Sequence, residues 1–273
     1  MIRLAVRVQR HQAELVLAEL LELAPGGVEE VEVSAEVIEY AVYGAPGELP
    51  ALPDLRAAAG GAYVDVSTRE IADDWAERWR SFHRPLVIGD RLTVRPPWEP
   101  PGATALDVVV DPGQAFGTGA HATTRLCLEL MLELDLGEDP AARSFVDVGC
   151  GSGVLAIVAA KLGFAPVIAL DYDRAATAAT RANAARNGVE LDVRDFDMRH
   201  QQAPRCHFGA ANVLGGPLVT WAESQRDLPP TLILSGLLAT EADRVAQAYA
   251  VRGHAERERR VAGEWAALLV TAA

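Results

Sequence analysis

Three glycines at every second position, Gly149, Gly151 and Gly153, stand between an apolar run and a run of helix formers. Ser144 to Val148 reads as a buried parallel strand, and Val154 to Lys161 as the helix that follows. Strand, glycine turn and helix in that order deliver a ligand to backbone N–H groups at a helix start. The next strand, Val167 to Leu170, ends in Asp171, twenty residues after Gly151. A carboxylate there can accept from both hydroxyls of a ribose lying across the sheet edge. The chemistry indicated is the binding of a nucleoside-containing cofactor.

A dinucleotide fingerprint wants a glycine three positions after its second glycine, and Val154 stands in that place. The closer set Gly149-x-Gly151-x-Gly153, following Asp147, looks like the turn of S-adenosylmethionine-dependent methyltransferases. On that reading Gly149 and Gly151 let the backbone approach the methionine part, with Gly153 completing the turn. Asp171 holds the ribose. Asp147 orients the turn or, through water, the cofactor's ammonium. Asp195 and Phe196, beyond a third strand at Leu191 to Val193, fall where the adenine should rest.

Two further stretches could act beside such a cofactor. Asp111 to Thr124 carries three glycines, Phe116, His121 and three threonines just upstream of a helix predicted over Arg125 to Leu134. As plain structure it is a tight loop with Thr123 or Thr124 as helix cap. As a functional element it is a lid that closes over the cofactor, with Phe116 shielding the sulfonium and Thr118 offering a hydroxyl. His121 reads as a loop residue outside the chemistry. Asn212, at the end of a strand over Gly209 to Leu214, can accept hydrogen bonds from an amine through its side-chain oxygen and present the nitrogen lone pair. Alignment and desolvation can supply the help such a transfer needs, with no acid or base in evidence.

These residues need a scaffold, and the alternation of strand and helix after residue 140 supplies one. Further strands are expected at Thr231 to Leu234, Ala255 to Val261 and Trp265 to Val270, the last two as an antiparallel edge hairpin of a seven-stranded sheet. Helices are expected at Arg174 to Asn187, behind Asp173 as N-cap, and at Thr240 to Ala250, with a turn at Gly215-Gly216-Pro217. The fold class is α/β, a doubly wound seven-stranded sheet over residues 102–273. The order βαββαβ over residues 1–66 reads as a small ferredoxin-like α+β domain, its helices near 13–21 and 53–59. Residues 67–101 link the two, with Trp75 and Trp79 on a helical face and a hairpin over Leu86 to Val94 turning at Gly89-Asp90.

Composition limits the partners. The chain has 273 residues and a net charge of -13, which argues against binding to a nucleic acid backbone and suits a basic protein substrate or simple solubility. Cys127, Cys150 and Cys206 form neither a disulfide framework nor a metal-ligand spacing, so no metal is expected. No stretch approaches the ~20 apolar residues of a membrane span, and a cytoplasmic location is expected.

With these motifs together, the chain resembles the bacterial ribosomal protein L11 methyltransferase family along nearly its whole length. The resemblance is carried by Asp74-Trp75, Trp79, Phe82-His83, Pro85 and Pro96-Pro97-Trp98-Glu99, then by Asp111 to Thr124 and Asp147 to Leu155. It continues through Asn183 to Gly188, Asn212 to Leu218 and Leu234 to Leu238. It implies methylation of lysine side chains and the N-terminal α-amine of a large-subunit ribosomal protein, with S-adenosylmethionine as cofactor. By position it puts Phe116, Gly117 and Thr118 in a cofactor-covering loop, Thr124 and Asn212 beside the cofactor, and Asn212 and Leu214 with Phe116 in the catalytic cleft. It implies that the small domain recognises the substrate. The oligomeric state stays open, with a monomer as default.

The chain departs from the family pattern at Ala120 and Ala122, where a threonine and a proline are usual. The alternative is a related methyltransferase acting on lysines of another protein or on a small amine. A nicotinamide-dependent oxidoreductase is disfavoured by Val154. A non-catalytic assembly factor is disfavoured by the intact Gly149, Gly151, Asp171 and Asn212.

Overall fold

Alternating apolar residues organise the first part of the chain. The structure, a computed structural model, describes residues 2–13, 16, 17, 20, 28–44, 49, 63–70, 84–111, 121–135 and 140–273. The chain divides into two compact units, Met1–Phe82 and His83–Ala273. In the first, β1 (Ile2–Gln9), β2 (Glu29–Glu32), β3 (Val37–Gly44) and β4 (Tyr63–Glu70) form one sheet in the order β2-β3-β1-β4. Every pairing in it is antiparallel. Leu4, Val6 and Val8 point to one face and pack with Ile38, Tyr40 and Val42 against Ala13, Val16 and Leu20, whose backbone is helical. The other face carries Arg3 and Arg7, which share Glu39 at 2.8 and 2.7 Å. The last strand was expected to stop at Val66; pairing with β1 carries it on to Glu70. The expected helix at 53–59 and the tryptophan face at Trp75 and Trp79 lie outside the described residues.

The second unit begins with the expected hairpin, β5 (Leu86–Ile88) and β6 (Leu92–Arg95), turning through Gly89 at φ 55°. A parallel strand, β7 (Leu106–Val109), completes a separate three-stranded sheet. Its inward residues Leu92, Val94 and Val108 join the core of the larger sheet.

That larger sheet is built from β8 (Phe145–Val148), β9 (Val167–Asp171), β10 (Asp192–Asp195), β11 (Phe208–Asn212), β12 (Thr231–Leu238), β13 (His254–Ala262) and β14 (Trp265–Ala272). The helices are α1 (Ala122–Glu133), α2 (Val154–Lys161), α3 (Arg174–Arg186), α4 (Gly215–Ser224) and α5 (Ala242–Ala250). The strand order is β10-β9-β8-β11-β12-β14-β13, parallel except where β14 pairs. Both β8 and β9 are buried at every position, as strands covered on two faces must be. Alternate side chains feed two cores. Phe145, Ala169 and Ala210 pack on one face with α1 and α2, while Val146, Val148 and Trp221 pack on the other with α4 and α5. Among the described residues no helix is long and apolar enough to cross a membrane.

Several expected boundaries move. The helix expected from Arg125 begins at Ala122, capped by the imidazole of His121 rather than by Thr123 or Thr124. Asp195 is the last residue of β10, which starts at Asp192 and not at Leu191, because it pairs with Asp171. Gly215-Gly216-Pro217 opens α4 directly instead of forming a separate turn. Proline fits there because the first turn of a helix has no intrahelical acceptor for its N–H groups. Finally, β12 runs past Leu234 to Leu238 across an irregularity at Gly236, whose φ is 83°.

Candidate active site

Sheet order places the site. β9 and β10 lie to one side of β8 and β11 to the other, so connections diverge between β8 and β11. In doubly wound sheets a crevice opens at that point, beyond the carboxyl ends of the strands. Val148 of β8 is in register with Ala211 of β11, so the glycine turn after Val148 and Asn212 after Ala211 emerge side by side.

The glycine turn requires its residue type. Gly149, Gly151 and Gly153 take φ of 74°, 52° and 82°, a region costly for a residue with Cβ. A Cβ on Gly153 would lie 2.7 Å from Thr180 Cγ2 on α3. Thr180 in turn donates to the Gly151 carbonyl at 2.9 Å. Gly149 N and Cys150 N both donate to the Leu170 carbonyl, at 2.8 and 3.0 Å, tying the turn to β9.

Two carboxylates flank this turn. Asp171 accepts from Gly151 N at 2.9 Å through Oδ2 and from Asp173 N at 3.0 Å through Oδ1. Burial holds its carboxyl above the usual range against those two hydrogen bonds. Asp147 accepts from Ala156 N at 3.1 Å through Oδ2, while its Oδ1 is buried without a partner among the described residues. Burial, with Asp171 nearby, pushes the Asp147 carboxyl up to about 7. A buried carboxyl oxygen with no donor is costly, and a cationic ligand group would relieve that cost.

Beyond β9 and β10 an open cleft is lined by Tyr172, Arg174, Asp195, Phe196, Asp197 and Gln201. Phe196 N donates to the Asp171 carbonyl at 2.7 Å, which joins the floor of this cleft to the acid of β9. Thr177 donates to Asp195 Oδ1 at 3.0 Å. The cleft thus offers an aromatic ring and a carboxylate next to Asp171, the chemistry a nucleobase on a ribose asks for.

On the other side, Asn212 Nδ2 donates to Thr124 Oγ1 at 3.3 Å, and Asn212 Oδ1 is buried without a partner among the described residues. Thr124 itself is fully buried in the first turn of α1. Leu214 is exposed at the N-cap of α4. His121 packs edge-on against Trp265, with ring centroids 4.8 Å apart. Burial lowers the pKa of His121, which keeps the imidazole neutral and able to accept. Its Nδ1 lies 2.7 Å from Thr123 Oγ1 and accepts from Thr123 N at 3.4 Å. The thiols are poor nucleophiles, Cys127 being pushed up to about 12 by burial. Phe116, Gly117 and Thr118 lie outside the described residues.

Sequence reasoning gave no role to two asparagines on α3. Asn183, fully buried, donates to the Ser152 carbonyl at 2.9 Å and accepts from Asp111 N at 3.0 Å. One turn on, Asn187 accepts from Val109 N at 2.9 Å and donates to Val109 O at 2.7 Å. The signal was available: asparagine is a poor helix former, and two of them four apart in an alanine-rich helix need a reason.

A parallel sheet of this order, closed by an antiparallel last strand and carrying a turn of three left-handed glycines, defines the class I S-adenosylmethionine-dependent methyltransferase fold. Comparison with known proteins narrows the class. The model of the ribosomal protein L11 methyltransferase (PrmA) family matches residues 51–273, and the chain belongs to that family. It is 44% identical to the ribosomal protein L11 methyltransferase of Sodalis glossinidius over 196 residues, 70% of this chain and 66% of that protein. With the same enzyme from Pectobacterium carotovorum it shares 45% over 182 residues, 65% of this chain and 60% of that protein. Among solved structures it is similar to a ribosomal protein L11 methylase from Lactobacillus delbrueckii subsp. bulgaricus. That match has a TM-score of 0.60 and 25% identity, covering 70% of this chain and 98% of the other. The chain thus spans less than two thirds of the length of these curated relatives.

Proposed function

We propose that the chain is a protein N-methyltransferase. It transfers methyl groups from S-adenosylmethionine to lysine side-chain amines and the N-terminal α-amine of a large-subunit ribosomal protein of the L11 type. The observation that carries this reading is the unpartnered Asn212 Oδ1, buried beside the glycine turn in a chain of this family. The cofactor, when bound, supplies a methyl group already activated by its sulfonium. Gly149, Gly151 and Gly153 shape the surface against its methionine part, and Asp147 orients the turn or, through water, the ammonium there. Asp171 accepts from the ribose hydroxyls beside its backbone N–H bonds. Asp195 and Phe196, with Tyr172, hold the base. Phe116, Gly117 and Thr118 cover the cofactor, and Thr124 closes the pocket from α1.

The amine must arrive neutral, its proton lost to water. Asn212 Oδ1 accepts from its N–H and aims the lone pair, and Leu214 lines the approach. An aspartate in place of Asn212 would hold the ammonium form instead and oppose attack. Orientation and exclusion of water provide the rest.

The first unit is read as a ferredoxin-like domain, supported by its antiparallel order β2-β3-β1-β4, and as the part that recognises the protein substrate. Of the residues read as linker and flank, 67–101, residues 67–70 belong to β4 and 86–95 to the second unit, and 102–273 are read as the catalytic domain. The setting is cytoplasmic, and a monomer suffices for the chemistry. Incubation of the purified protein with labelled cofactor and total ribosomal protein, followed by intact-mass measurement, tests the reading. Mass gains in whole methyl steps on the L11-type protein are expected. Label only on other proteins or on small amines would replace it by the broader amine-methyltransferase reading.

A further inference from the structure

Resting on the reading of Asn212 as the group that receives the amine, we infer that Thr124 is a positioning residue that holds the Asn212 amide by its nitrogen, with the oxygen left for the reacting centre. The two residues are 88 positions apart and meet only in the fold. Asn212 is the last residue of β11, and Thr124 lies in the first turn of α1. The amide nitrogen is held at Thr124 Oγ1, and the oxygen of the same amide is buried with no partner among the described residues.

A primary amide has two chemically opposite ends, two donors on nitrogen and an acceptor on oxygen. With the oxygen outward, an incoming amine keeps its lone pair free while its N–H groups are received. With the nitrogen outward, an N–H would point at that lone pair and compete with the methyl group for it. The orientation therefore decides whether Asn212 assists the attack or blocks it.

The position of Thr124 is itself tied to the strand that neighbours Asn212. Ser235, the register partner of Asn212 on β12, directs its hydroxyl to the Ala266 carbonyl at 2.9 Å and to the Thr123 carbonyl at 3.4 Å. The His121 cap fixes the start of the same turn. Thr124 thus acts through Asn212, whatever it adds to the wall of the cofactor pocket.

The experiment is a double-mutant cycle on the full chain, measuring single-turnover methyl transfer and, separately, cofactor affinity by calorimetry. Thr124→Val keeps the shape and removes the hydroxyl. It is expected to slow transfer about tenfold or more even at saturating cofactor, whatever it does to cofactor affinity. Thr124→Ser is expected to recover most of the rate. In an Asn212→Ala background Thr124→Val should add no further loss, because the two act as one unit. Should the valine variant not fold, Thr124→Ala completes the same cycle. Losses that multiply in the double variant, or a rate loss that disappears at saturating cofactor, would overturn the inference while Asn212→Ala stays impaired. Wild-type rates in Asn212→Ala would instead remove the underlying reading, and the inference with it.

Discussion

A Cβ placed on Gly149 would lie 2.4 Å from Cγ1 of Val213. The first glycine of the cofactor turn is therefore packed against the residue that follows Asn212, and the two halves of the site share one contact. Gly149→Ala meets two penalties, a left-handed φ of 74° and that clash. The conformational part alone is about 1–2 kcal/mol. Cofactor affinity, followed by calorimetry, is expected to fall about tenfold or more, with a lower melting temperature. Val213→Ala in the same chain should restore part of the loss, since it relieves the clash and leaves the strain.

Asp171→Ala removes the acceptor for Gly151 N and Asp173 N as well as the proposed ribose contact. The expected loss of cofactor binding is about 2–4 kcal/mol, the scale for losing more than one charge-assisted bond. Asp171→Asn, which keeps one acceptor oxygen, should lose less. Unchanged affinity in the alanine variant would remove Asp171 from the cofactor site.

Asp147 should make the cofactor-free protein sensitive to pH. Its carboxyl is raised by burial to about 7 in the folded chain, against an ordinary value near 3.9. Between those values the folded state holds a proton that the unfolded state has lost, so stability falls as pH rises from about 4 to about 7 and then levels off. Asp147→Asn removes this contribution. Its melting temperature relative to wild type should be a few degrees higher at pH 8 than at pH 5. A pH-independent difference would mean that the carboxyl ionises normally.

The two asparagines of α3 should separate stability from binding. Asn183→Ala removes the bonds to the Ser152 carbonyl and to Asp111 N, at a cost of about 2–4 kcal/mol in denaturant unfolding. It should also weaken cofactor binding, because Ser152 belongs to the glycine turn. Asn187→Ala removes two bonds to Val109 and should cost similar stability. Cofactor affinity in that variant should stay within about threefold of wild type, as Val109 lies outside the turn.

Local physics made part of this molecule readable in advance. Glycines at alternate positions announce left-handed backbone because only glycine enters it without penalty, and all three of the turn do so. Asp173 is the N-cap of α3 as its residue type suggests. Buried strands and the edge hairpin followed from apolar runs and their spacing. The start of α1 did not, because its cap is a histidine whose burial keeps it neutral, and a ring nitrogen is not an expected capping group. The end of β4 was also missed, since Ser67 to Glu70 has no apolar alternation and is a strand only through pairing with β1.

What the chain's own order of residues determined is the kind of site: a turn that backbone can press against a ligand, an acid at the next strand end, and an amide two strands on. What only the tertiary structure decided is which of these touch. β11 lies beside β8, so Val213 meets Gly149; α1 crosses β12, so Thr124 meets Asn212. Asn183 joins the glycine turn to Asp111 across 72 positions of sequence. Such contacts depend on strand order and helix packing summed over the whole sheet, and no window of neighbouring residues carries that information.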